Sequence, residues 1–212
     1  MMLRGPIDTK RYTMEDVSDV VKMFNKGGLV AVPTETVYGL AADAMDGVAV
    51  RMLYEKKKRD PDKAVSILVT GMDMVEEYCE DIPQAAYRLA EKYWPGPLTM
   101  ILKDRGVVSE AVVADEITLG VRCPDHPLTL AILRELGRPL AAPSANISDQ
   151  PSPKTTKEVL DYFDGRIEGV VEGGTCALGV ESTLVDLSGD EPKILREGAI
   201  PGQEILDFIK TC

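Results

Sequence analysis

An α/β domain built on a mixed sheet follows from three features of the 212-residue chain. Short apolar runs alternate with helical periodicities through the first two thirds, and the last third is consecutive strands and turns. The 14 prolines and 18 glycines punctuate short elements. A hydrophobic share of 44% is enough for a substantial core. No Ser/Gly-rich linker, low-complexity tract or internal repeat divides the chain, so a single domain over 7–212 is expected.

The elements come in this order. Thr13-Met14-Glu15-Asp16 reads as a helix start, and Val17, Val20, Val21 and Phe24 recur at helical spacing until Gly27-Gly28. Leu29 to Val32 is a buried strand that stops at Pro33. Thr34-Glu35-Thr36-Val37-Tyr38-Gly39 then forms a polar loop past a strand end, where α/β sheets hold their ligands. A helix from about Gly47 to Lys58 leads through Asp60-Pro61-Asp62 into a strand, Val65 to Val69. Helices around Met72 to Tyr78 and Pro83 to Tyr93 precede a Pro95-Gly96-Pro97 turn and the strand Leu98 to Leu102. Thr118 to Arg122 is extended, Pro127 to Leu136 is an amphipathic helix closed by Gly137, and Pro139 to Ala142 is a short strand opening into Pro143-Ser144-Ala145-Asn146. After a helix near Thr156 to Phe163 come the strands Gly169 to Glu172, Ser182 to Leu187 and Lys193 to Arg196. A short helix from Gln203 to Ile209 closes the chain.

Acidic residues outnumber basic ones 35 to 24, for a net charge of -11. Diffuse attachment to nucleic acid or to an anionic membrane is therefore disfavoured, and any such contact needs a local patch. No apolar run reaches transmembrane length, and Met1-Met2-Leu3-Arg4-Gly5-Pro6 lacks the apolar stretch of a signal peptide, so a cytoplasmic location is expected. Cys79, Cys123, Cys176 and Cys212 are widely spaced without a CxxC pair, which argues against a zinc site and against a disulfide framework. The one histidine, His126, sits between Asp125 and Pro127 and reads as a helix start rather than a catalytic base.

Against this acidic background Lys56-Lys57-Lys58-Arg59 stands out, with Lys63 four residues on. The run either closes a helix, opposing the macrodipole, or meets an anionic ligand. GxxxxGK[ST] and GxGxxG are both absent, so any nucleotide would be held by side chains. Lys57, Arg59, Lys63 and Arg196 suit phosphate oxygens in type. Ser144 and Asn146 could aim a hydroxyl and an amide at one ligand or stabilise their own turn. Ser182 is a binding hydroxyl or a strand start, since Gly179-Val180-Glu181-Ser182-Thr183 is not GxSxG.

Six segments in register carry a resemblance: Pro33-Thr34-Glu35-Thr36-Val37-Tyr38-Gly39-Leu40, Lys57-x-Arg59, Gly120-Val121-Arg122, Ala142-Pro143-Ser144-Ala145-Asn146, Glu181-Ser182-Thr183 and Leu195-Arg196-Glu197-Gly198-Ala199. Together they resemble the YrdC-like threonylcarbamoyl-AMP synthases over almost the whole chain. The resemblance implies a twisted, open mixed sheet with helices packed around it and a concave, positively lined site. It implies catalysis by Lys57 and Arg59. ATP would be held by Arg59, Lys63, Thr118, Ser144, Asn146, Ser152 and Arg196, and threonine by Thr36, Arg122, Ala142 and Ser182. Lys56 and Lys58 would only close the helix. Lys57, Arg59, Ser144 and Asn146 favour the synthase branch over the related YciO-like one. Two departures stand beside this: Lys63 is followed by Ala64 where many relatives have proline, and a histidine of some members is missing near Leu68.

The implied reaction joins L-threonine and bicarbonate or CO2 to ATP, with Mg2+ on the phosphates, giving threonylcarbamoyl-AMP and pyrophosphate for tRNA modification beside the anticodon. No dedicated carboxylate cage for the metal is evident in the sequence. A transient tRNA contact and a downstream threonylcarbamoyl-transfer machinery are the implied partners. The chain's end near Cys212 implies a short form without the extra C-terminal domain of longer relatives. The competing reading is a tRNA or double-stranded-RNA module using Lys56 to Arg59 as a patch. A carbamoyl-nucleotide site like that of hydrogenase maturation factors is less suited, because those chains carry acylphosphatase and zinc-finger segments.

Overall fold

A computed structural model describes residues 7–114 and 116–211; the N-terminal Met1 to Pro6 reading and Cys212 lie outside the described residues. In chain order the strands are β1 (Lys10–Tyr12), β2 (Val30–Val32), β3 (Gly39–Asp43), β4 (Ile67–Leu68), β5 (Cys79–Glu80), β6 (Leu98–Asp104), β7 (Thr118–Arg122), β8 (Leu140–Ala141), β9 (Gly169–Val171), β10 (Thr183–Asp186) and β11 (Lys193–Arg196). The helices are α1 (Val17–Phe24), α2 (Gly47–Lys57), α3 (Met72–Tyr78), α4 (Gln84–Tyr93), α5 (Glu110–Val113), α6 (Pro127–Leu136), α7 (Thr156–Phe163) and α8 (Gly202–Ile209).

The strands join in the order β1-β9-β2-β3-β8-β4-β7-β6-β10-β11, with β5 pairing β6 beside that path. The sheet is mixed, as expected: β1/β9, β2/β9, β4/β7 and β6/β10 are parallel, and the other pairs are antiparallel. It is also open, since its two ends, β1 and β11, do not meet.

Local chemistry fixes the helix ends. Thr13 and Asp16 form a reciprocal capping box before α1, and Asp46 accepts from the backbone of Val48 and Ala49 at the start of α2. Pro127 opens α6 and a left-handed Gly137 closes it. Four elements escaped the periodicity reading: β1, β3, β5 and α5. The important one is β3, read as the end of a loop. Its Gly-Leu-Ala-Ala-Asp run has no β-branched residue, yet all five positions are buried because it lies mid-sheet.

Alternation along the strands sorts residues onto two faces. Ala31, Leu40, Ala42, Ile67 and Val170 join one apolar cluster, and Val30, Val32, Ala41, Leu68 and Val171 join the other. The second cluster is completed by Val20 and Phe24 of α1 and by Ile132 and Leu133 of α6. It contains no residue of β6, β7 or β10, whereas the first cluster continues beneath those strands through Met100, Val121 and Val185. The face left uncovered by α1 and α6 bears Thr99, Arg122 and Leu184, and there the chain forms a cavity of about 340 Å³.

Candidate functional site

The floor of this cavity is a short row across four strands. Ser66 and Leu68 come from the β4 segment, Arg122 from β7, Thr99 from β6 and Leu184 from β10; Leu68 registers with Arg122, and Leu184 with Thr99. Gly120 keeps this floor open, because a Cβ there would lie 2.4 Å from Ser66 Oγ. A side chain at 120 would displace that hydroxyl.

One wall is the loop after β2. Thr34 organises it: its hydroxyl donates to the Val37 carbonyl at 2.7 Å and accepts from the Val37 N–H at 3.3 Å and the Thr36 N–H at 3.2 Å. Thr34 and Thr36 hydroxyls are 2.8 Å apart. Since the single Thr34 proton goes to Val37, Thr36 is the donor in that contact, and its lone pairs are left for the cavity. Thr36 is thus an acceptor toward whatever binds.

Glu35, between these threonines, turns the other way. Arg122 Nη2 donates to Glu35 Oε1 at 2.6 Å, and the Asp125 N–H donates to Oε2 at 2.9 Å. Arg122 Nε donates to the Gly96 carbonyl at 3.3 Å. Three guanidinium N–H groups remain for a ligand. Burial pushes Arg122 below the ordinary guanidinium value, Glu35 opposes the fall, and Arg196 adds to it.

The adjoining wall is the end of β8. Leu40 donates to the Pro143 carbonyl at 2.8 Å and Ala145 donates to the Tyr38 carbonyl at 2.7 Å, tying Ala142-Pro143-Ser144 to the first wall. From behind, Lys57 Nζ donates to the carbonyl of Ser144 and, at 2.6 Å, to that of Asn146. Lys57 is 2% exposed. Burial first, then the neighbouring Arg59, pull it down from 10.5 to about 8, with Glu181 working against them.

The rim comes from the segment before β10 and from β11. Arg196 donates to the Ser182 carbonyl through Nε and Nη2 at 3.1 and 3.0 Å, and through Nη2 to Ser182 Oγ at 3.2 Å. Ser182 and Thr99 hydroxyls are 2.7 Å apart. Glu181 bridges outward, with Arg196 at 2.9 Å and Ser152 Oγ at 2.9 Å. Gly198 explains its place in the last motif: a Cβ there would lie 2.4 Å from the Glu181 carbonyl, so only glycine lets β11 seat this segment.

Of the residues singled out in the sequence, the fold brings Thr36, Arg59, Arg122, Ala142, Ser144, Ser182 and Arg196 around one cavity. Five others lie elsewhere. Lys57 is not among the residues lining the cavity; two of its three ammonium donors go to carbonyls and hold the Ser144 loop. Asn146 turns its amide back to the Ile147 and Gln150 carbonyls at 2.9 and 2.8 Å, which leaves its buried Oδ1 without a partner. The Lys63 side chain is solvent-exposed, while its carbonyl accepts from Arg59 Nε at 3.1 Å. Thr118 lies outside the lining, two residues beyond Gly120 on the face that Arg122 shares. Ser152 lies outside the lining and donates to Glu181 at the rim.

The basic run is therefore no continuous surface patch. Lys57 is buried, Lys58 is the left-handed cap of α2, and Arg59 points its donors at the Lys63 and Ala64 carbonyls. Cys79, Cys123 and Cys176 are buried and free, and burial pushes their thiols up to about 12, 11 and 11, away from nucleophilic thiolate chemistry. His126 caps no helix bond through its side chain, and burial lowers it from its ordinary value. Sequence reasoning missed Glu35, Glu181 and Thr99. The glutamates stood inside quoted motifs beside assigned residues, and Thr99 was the polar position in an apolar strand.

An open mixed α/β sheet with one face left bare, floored by a paired arginine and rimmed by hydroxyls and two more arginines, defines a class of small-molecule site for carboxylate and phosphate groups. The chain belongs to the Sua5/YciO/YrdC family, described as telomere recombination, which matches residues 22–198. It is 43% identical to a threonylcarbamoyl-AMP synthase of Pyrococcus abyssi over 85% of this chain and 53% of that protein. It is 40% identical to one of Bacillus subtilis over 89% of this chain and 55% of that protein. The crystal structure of P. abyssi Sua5 complexed with L-threonine superposes with a TM-score of 0.91 at 38% identity, covering 95% of this chain and 60% of that one. The chain spans about half the length of these two curated relatives. Among the described residues no helix is long and apolar enough to cross a membrane.

Proposed function

We propose that this chain makes threonylcarbamoyl-AMP from ATP, L-threonine and bicarbonate or CO2, releasing pyrophosphate, as a step toward threonylcarbamoyladenosine in tRNA. The reading is carried by one observation: Arg122, Thr36 and Ser182 share a cavity with Arg59, Ser144 and Arg196. Amino-acid recognition and phosphate recognition are thus side by side. The names of the relatives and the threonine bound to P. abyssi Sua5 support it.

Threonine's carboxylate meets the spare N–H groups of Arg122, and its hydroxyl meets Ser182. The threonine ammonium gives one proton to solvent, and the free amine forms a C–N bond to CO2 and releases a second proton to solvent, giving a carbamate. A carbamate oxygen then attacks the α-phosphorus, the bond from that phosphorus to the β-phosphate bridging oxygen breaks, and pyrophosphate leaves with the electron pair. No residue becomes covalently modified, so the protein's work is alignment and charge neutralisation. Arg59 and Arg196 supply the positive charge, while Lys57 acts through the loop it holds.

Mg2+ would enter on the triphosphate as part of the substrate. Among the described residues no group of three His, Cys, Asp or Glu side chains is arranged to hold a metal, and Glu181 is the one carboxylate lining the cavity. The product would pass to a downstream transfer machinery acting on tRNA. Mass spectrometry of a reaction containing ATP, L-threonine, bicarbonate and Mg2+ tests the proposal. Threonylcarbamoyl-AMP and an equal amount of pyrophosphate are expected, both lost when threonine is omitted; pyrophosphate without the adenylate overturns it.

A further inference from the structure

Charge is distributed unevenly along the cavity. Arg122 is in contact with Glu35, with both side chains 9% exposed. Elsewhere in the lining Arg59 gives two of its five donors to the Lys63 and Ala64 carbonyls, and Lys57, behind the wall, gives two of its three to those of Ser144 and Asn146; among the described residues neither is in an ion pair. The exposed Arg196–Glu181 pair lies between the two regions. Arg122 feels Glu35 and Arg196, whereas Lys57 feels Arg59 and Glu181. Arg122 is therefore compensated by a carboxylate in contact, whereas Arg59 is not.

We infer that Glu35 is a specificity-determining positioning residue: by pairing Arg122 it keeps that arginine compensated, so the cavity there accepts a zwitterionic amino acid and rejects phosphate groups. This rests on the threonylcarbamoyl-AMP reading and adds to it a reason for the orientation of the two substrates. A zwitterion brings no net charge to the buried Arg122–Glu35 pair, and it finds directional N–H donors on Arg122 and an acceptor on Thr36. A polyanion would find Arg122 already compensated and a buried carboxylate behind it, which repels it. With Glu35 neutralised, Arg122 would become a second phosphate site competing with threonine.

Calorimetric titration of the full chain with L-threonine, with and without inorganic pyrophosphate as the polyanion probe, tests this. Wild-type affinity for threonine should be indifferent to pyrophosphate. In Glu35→Gln, pyrophosphate should weaken it roughly tenfold, the size of one charge-assisted hydrogen bond gained by the competitor. Glu35→Asp retains the charge and should stay indifferent, even with a lower affinity, which a merely structural role for Glu35 does not predict. A folded Glu35→Gln variant as indifferent as the wild type overturns the inference. Should circular dichroism show that this variant does not fold, the wild-type arm decides: loss of threonine to pyrophosphate overturns the inference, and indifference supports it. Wild-type protein that binds no threonine at all removes the functional reading itself, which is a separate outcome.

Discussion

Arg122 and Arg196 each meet a glutamate at the same cavity, yet the side chains of the first pair are both 9% exposed and those of the second are 44% and 37% exposed. Depth changes what the same two functional groups do. At Arg122 the partner is fixed by a second bond, from the Asp125 N–H, and the arginine by the Gly96 carbonyl. Neither group can swing away without leaving a buried charge exposed to a low-dielectric surrounding, so the pair is a permanent part of the wall. At Arg196 water competes for both partners. That pair can open when a stronger anion arrives.

The largest test of this contrast is Arg122→Ala. Removing one partner of a buried pair leaves Glu35 uncompensated and costs about 3–5 kcal/mol. The denaturation midpoint in urea should fall accordingly, and threonine binding should disappear. Arg196→Ala, by contrast, should change stability by less than about 1 kcal/mol and act on nucleotide affinity. Equal losses for the two variants would break the comparison.

Lys57 extends the contrast to a buried cation with no carboxylate in contact. Its folded value of about 8 lies below the ordinary 10.5, so between those pH values the unfolded chain holds more of its proton than the folded one. Unfolding takes up a proton, and this lysine makes stability rise as pH climbs from about 8 to 10.5. Tyrosines raised by burial act in the opposite sense over part of that range, so the difference between wild type and Lys57→Met is the quantity to follow. Wild-type stability relative to the variant should increase with pH in urea titrations at pH 8, 9 and 10. A difference that stays flat or falls would show that Lys57 keeps its charge throughout.

The sequence was most legible where one physical signal acted alone. Thr118 to Arg122, Pro127 to Leu136 and Thr156 to Phe163 were read to the residue, because alternation, Pro127 and the glycine cap leave little choice. It was least legible where the third dimension decides. The Ala-rich β3 is a strand only because neighbours on both sides pair with it. Lys57 and Arg59 are equivalent in type on paper, and the fold turns one onto carbonyls behind the wall while the other borders the cavity. Asn146 is similar, since its amide satisfies its own loop. Glu35 and Glu181 gave no signal of their own, because a carboxylate's role depends on which arginine it reaches, and Arg122 and Arg196 are 87 and 15 residues away in sequence.

Glu181→Gln is the smallest perturbation and the sharpest one. The amide keeps the shape and can still accept from Ser152 or Arg196, so stability should move by less than about 1 kcal/mol. If Glu181 competes with phosphate for Arg196, removing its charge frees that arginine, and ATP should bind a few-fold more tightly at low salt. The gain should shrink as ionic strength rises, because this pair is exposed to screening. Glu35→Gln should show less tightening of ATP, since Glu35 contacts Arg122 and Glu181 contacts Arg196. Weaker ATP binding in Glu181→Gln would mean that the exposed pair holds Arg196 in its working position rather than yielding it. Exposure alone would then fail to separate a fixed pair from an exchangeable one, and the deciding factor would be the number of further bonds that each carboxylate makes.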